Sequence, residues 1–148
     1  MPDNQDSLQL DRAPLAGALT VFASVVAVLI IRAIAVAILH PSPRFEPLTI
    51  GPPIMDTVIA ATIAVLVFLK VAENSVRPVR TWRRIALVVL IVSLWPDVAL
   101  AQAHSMGGGW PEAYALMAMH VAVCALCVTM LPALVKSKAA AAVATKKT

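Results

Sequence analysis

Charge is scarce in this chain, and that scarcity excludes most of what a protein of its size can be. Only 14% of the 148 residues are Asp, Glu, Lys or Arg, against about a quarter in a soluble domain. Aromatic residues are fewer still, at 5%, too few to build a platform for stacked bases. The net charge of +4 therefore points to no nucleic acid. The basic residues gather beside apolar segments, where they set membrane topology. Two cysteines, Cys124 and Cys127, lie in the last apolar block, so no disulfide framework of a secreted domain is implied. The Gly107-Gly108-Gly109 run lacks the strand–helix context of a phosphate loop. The acidic residues have no motif spacing for a hydrolase or a chelated divalent cation, and no cofactor is called for.

What the chain has is long apolar runs. Hydrophobic residues make up 60% of it, and its mean hydropathy is +0.85. A spanning helix needs roughly 20 mostly apolar residues, and four segments qualify: Leu15–Leu39, Ile54–Ala72, Arg84–Ala103 and Glu112–Val135. Pro14 suits a first helical turn. Pro41 and Pro43 end the first helix, and Gly51-Pro52-Pro53 and the glycine run read as breakers. Short connections make neighbours antiparallel. The expected fold is all-α, an integral membrane four-helix up-down bundle over residues 15–135. A cytoplasmic N-terminal segment (1–14) precedes it and a basic, disordered tail (136–148) follows. Asp3, Asp6 and Asp11 beside a long apolar run argue for a retained anchor, not a cleaved signal.

Orientation follows from Lys and Arg. Lys70, Arg77, Arg80, Arg83 and Arg84 flank the middle link, and Lys136, Lys138, Lys146 and Lys147 lie in the tail. The opposite connections hold only Arg44. The positive-inside rule puts both termini in the cytoplasm of a multi-pass protein of the cell (inner) membrane. Trp82 and Trp110 are expected at the two interfaces as anchors.

Four polar residues interrupt the spans: Arg32, Asp56, Asp97 and His120. At about 1.5 Å per residue, Arg32 lies about 11 Å, Asp97 about 9 Å and His120 about 12 Å from the outer ends of their helices, with Asp56 shallower at about 4 Å. One layer in the outer half therefore collects all four. A guanidinium does not deprotonate, so Arg32 needs a partner. Depth favours Asp97 over Asp56, with His120 completing the network. Such a layer serves either register or a ligand or proton site. Pro96, just before Asp97, deletes a helical hydrogen bond and predicts a kink.

Met117, His120, Cys124 and Cys127 form a stripe on the last helix. The donor types suit a soft metal or thiol redox chemistry, but the same residues serve equally as apolar filler. Gly17, Thr20 and Ser24, and Ala60-Ala61-Thr62 with Ala64, allow close helix approach, within the chain or between copies.

Arg32 in Ile-Ile-Arg-Ala-Ile-Ala, Phe45-Glu-Pro-Leu, Ser93-Leu-Trp-Pro-Asp97 and Leu116-Met-Ala-Met-His120-Val together resemble an uncharacterised family of small four-helix bacterial membrane proteins, mostly actinobacterial. The resemblance runs over residues 15–134 and implies fold and location, with no activity attached. Four-helix thiol oxidoreductases of the disulfide-forming type depend on loop cysteines that this chain lacks. Three roles follow: a non-enzymatic protein whose polar layer locks the bundle or a partner helix, a small-molecule or proton-coupled transport component, and a membrane redox or metal enzyme using Cys124, Cys127 and His120. The expected partners are the lipid bilayer and a second copy or another membrane protein.

Overall fold

The computed structural model describes residues 13–104 and 107–135. The N-terminal segment through residue 12 and the basic tail lie outside the described residues. Among the described residues there are five α-helices: α1 (Ala13–Leu39), α2 (Gly51–Asn74), α3 (Pro78–Ser93), α4 (Trp95–Gln102) and α5 (Trp110–Val135). A 3₁₀ turn, Glu46–Leu48, sits in the α1–α2 connection. With α3 and α4 taken as one broken span, four helices are long and apolar enough to cross a membrane. The architecture is the all-α, multi-pass membrane bundle that the apolar runs predict.

Every helix carries a proline among its first three residues: Pro14, Pro52 with Pro53, Pro78, Pro96 and Pro111. The first turn has no intrahelical use for its N–H groups, so proline sits there without loss and its fixed φ favours the helix. This corrects two expected boundaries. Gly51-Pro52-Pro53 opens α2 instead of separating it from α1. The third span starts at Pro78, not near Arg84, because its first turns are charged and hydropathy alone misses them. The helix is interrupted at Leu94, just before Pro96. α3 ends at Ser93 and α4 restarts at Trp95, with Ser93 Oγ donating to the Leu90 carbonyl at 2.8 Å.

α1 packs most extensively against α5 and next against α2, while α3 bridges α2 and α5. α4 rests mainly on α5. Lipid tails are as apolar as leucine, so helix association here depends on close packing and hydrogen bonds more than on the hydrophobic effect. The small-residue face does that work within the chain. A Cβ on Gly17 would lie 2.9 Å from Val65 Cγ1, so a larger residue would push α1 from α2. Thr20, Ser24 and Ala61 are fully buried, whereas Ala60 and Thr62 face outward. Thr20 Oγ1 donates to the Ala16 carbonyl at 2.8 Å, whereas the buried Ser24 Oγ has no hydrogen-bond partner among the described residues.

Two clusters form the core. At the basic end, Phe68, Trp82, Cys127, Leu131 and Val135 pack with Ala16, Ala61 and Ala86. Trp82 is not an interfacial anchor: it is 3% exposed, its indole N–H donates to the Cys127 carbonyl at 3.3 Å, and Phe68 meets its ring edge-on with centroids 5.7 Å apart. Its N–H has a partner there, which lets so large an amphipathic ring be buried. Trp110, by contrast, is 40% exposed and lies against Tyr114. At the opposite end, Val28, Phe45, Leu48, Leu116 and Met119 form the second cluster. Phe45 and Leu48 come from the α1–α2 connection, which folds inward as a plug.

Candidate functional site

Arg32, Asp97 and His120 each meet a polar partner, but the wiring differs from the one that depth suggests. Arg32 does not pair with Asp97 or Asp56. Its Nε–H is shared between the backbone carbonyls of Leu48 at 2.8 Å and Thr49 at 3.2 Å, and among the described residues no carboxylate lies within 4.0 Å of it. Helical spacing gives depth but not azimuth. α4 lies mainly against α5, not against α1, so Asp97 and Arg32 share a level without sharing a face. The α1–α2 connection, in contrast, comes directly back over α1. Its irregular backbone leaves carbonyls in need of donors, and a long arginine side chain reaches towards the membrane surface to meet them.

Asp97 takes the other partner named from the sequence. Pro96 in the first turn of α4 helps bring Asp97 in against α5. The carboxylate is buried, at 6% exposure, and its Oδ2 lies 3.3 Å from His120 Nδ1. The same ring nitrogen lies 3.0 Å from the Leu116 carbonyl. Both neighbours are acceptors, so Nδ1 carries the proton. That proton is directed at the Leu116 carbonyl, and Asp97 Oδ2 keeps electrostatic attraction without a directed hydrogen bond. His120 is half open to its surroundings, its side chain 41% exposed. Asp56 remains exposed on α2.

The residues of the α5 stripe turn to different partners. His120 faces Asp97, Cys124 Sγ lies 3.7 Å from the Ala86 carbonyl, and Cys127 is packed in the core with Phe68 and Leu131. Both cysteines are free thiols. Among the described residues, no three His, Cys, Asp or Glu side chains converge as a metal site would require.

Sequence reading missed how the plug supports this layer. The Leu48 and Thr49 carbonyls that hold Arg32 are placed by the buried Phe45 and Leu48. Gly108 is the counterpart across the bundle: a Cβ there would overlap the Phe45 ring. The signal was present as two apolar residues three apart, Phe45 and Leu48, in a proline-rich connection. At the start of α5, Gly109 N–H donates to Glu112 Oε2 at 2.8 Å, one half of a capping box that fixes the helix entry.

Comparison with known proteins adds a family and no activity. The model of a family of unknown function (DUF6069) matches residues 9–144. Neither a curated protein nor a solved structure matches the chain.

Proposed function

The chain belongs to the DUF6069 family, and from that premise we propose a non-catalytic, multi-pass protein of a bacterial cell membrane with an assembly or interaction role. Its polar layer locks the outer half of the bundle, leaving the apolar helix faces for lipid, a second copy or a partner membrane protein. The basic α2–α3 link faces the cytoplasm, with both termini on that side. One observation carries this reading: two polar contacts of this layer each join separate elements of the chain. Arg32 of α1 holds the carbonyls of residues 48 and 49, and Asp97 of α4 faces His120 of α5. Buried polar groups of this kind specify register at some cost in stability.

A second reading rests on the buried Asp97 Oδ2, which has no hydrogen-bond donor among the described residues. A carboxylate so placed beside a half-open imidazole suits proton transfer, since histidine exchanges protons near neutral pH. Proteoliposomes with an entrapped pH dye separate the two. The structural role gives proton leak equal to that of protein-free vesicles for wild type and for Asp97→Asn. Flux present in wild type and lost in a folded Asp97→Asn variant would establish the second reading in place of the first.

A further inference from the structure

Arg32 uses one of its five N–H donors on the α1–α2 connection. Nε is bonded, and among the described residues the two terminal nitrogens have no protein acceptor. These nitrogens carry four N–H groups and the cation's charge. The side chain borders an open recess of about 360 Å³ at the end of the bundle formed by the α1–α2 connection. Ser42 and Thr49 add hydroxyl groups to its wall, while Val36, Leu48 and Ile50 supply apolar surface. Arg44, exposed in the same connection, adds a second positive charge, and Glu46 a negative one. Exposed apolar side chains flank this end of the bundle, Ile38 on α1 and Met55 on α2.

We propose that this recess binds the phosphodiester of a membrane phospholipid, with the Arg32 terminal nitrogens on the non-bridging oxygens and the acyl chains along α1 and α2. A planar guanidinium presents paired N–H groups that match two oxygens of one phosphate. Nε, held by two carbonyls, fixes the plane of the fork before a ligand arrives, which lowers the ordering cost of binding. The charged end of a long side chain reaches towards the interface, the level at which lipid phosphates lie. The apolar wall favours a phosphate that carries hydrocarbon over the free ion. This site is independent of the Asp97–His120 pair and stands or falls apart from it.

The test is native mass spectrometry of the full chain, purified and released from micelles doped with phosphatidylglycerol. Wild type is expected to retain about one lipid per chain. Arg32→Gln should lower retention at least about fivefold, and Arg44→Gln less than about twofold. Val36→Trp puts an indole into the recess one turn from Arg32 without altering Arg32 itself, so it should also lower retention about fivefold. It decides the matter if Arg32→Gln fails to fold. A parallel titration with inorganic phosphate should not displace the lipid at millimolar concentration. No retained lipid on wild type, or retention unchanged in Val36→Trp, would overturn the site. Displacement by inorganic phosphate would overturn its assignment to lipid.

Discussion

Removing either member of the Asp97–His120 pair should destabilise the bundle, and removing both should cost less than the sum. At 3.3 Å and an effective dielectric near 20, the gross attraction of a full ion pair is about 5 kcal/mol. Most of it is offset by desolvation of Asp97, which is 6% exposed. The open side of His120, 41% exposed, weakens what remains. Breaking a fully buried pair costs about 3–5 kcal/mol, so His120→Ala, which leaves the carboxylate alone, should cost about 2–3 kcal/mol. Asp97→Ala should cost about 1–2 kcal/mol, because His120 keeps its bond to the Leu116 carbonyl. The double variant should recover about 1–2 kcal/mol relative to the sum of the singles. Reversible unfolding by dodecyl sulfate in mixed micelles reads each value. Strict additivity, with a coupling below about 0.3 kcal/mol, would refute the idea that this pair fastens α4 to α5.

Gly108→Ala should destabilise by about 1–3 kcal/mol in the same unfolding assay, since a methyl there overlaps the buried Phe45 ring. Trp82→Phe, which deletes the donor to the Cys127 carbonyl and part of the ring facing Phe68, should cost about 1–3 kcal/mol. His40, just past the end of α1, has φ of 47°, a conformation that suits glycine. His40→Gly should raise the melting midpoint in detergent, by a gain of about 0.5–1 kcal/mol. Ser24→Ala removes a buried hydroxyl that has no hydrogen-bond partner among the described residues and should leave stability equal or higher by up to about 1 kcal/mol in the unfolding assay.

The spans were legible because hydropathy acts on whole segments and survives errors of a turn. The interruption between α3 and α4 is legible because Pro96 lacks an N–H whatever surrounds it. The partner of Arg32 was not. Spacing along a helix gives depth, while partner choice also needs azimuth, and azimuth depends on which helices pack side by side. Depth alone assigns Asp97 to Arg32, with His120 completing the network; the Asp97–His120 contact forms because α4 rests on α5. Trp82 was misplaced for a related reason. A tryptophan among arginines looks interfacial, and only the neighbouring Phe68 and the Cys127 carbonyl make its burial favourable. The inward fold of Phe45 and Leu48 depends on contacts with Val28 of α1 and Leu116 and Met119 of α5, which no linear pattern displays.

The central claim is that Arg32, Asp97 and His120 are held inside this chain by two separate pairings. Dipolar-recoupled NMR in lipid bilayers, on protein labelled at arginine, histidine, aspartate and leucine, measures it directly. The account expects contact between the His120 ring nitrogen and the Asp97 carboxyl carbon, and between Arg32 Nε and the Leu48 carbonyl carbon. Contact of the Arg32 guanidinium with the Asp97 carboxyl, or no contact from His120 to Asp97, would contradict it.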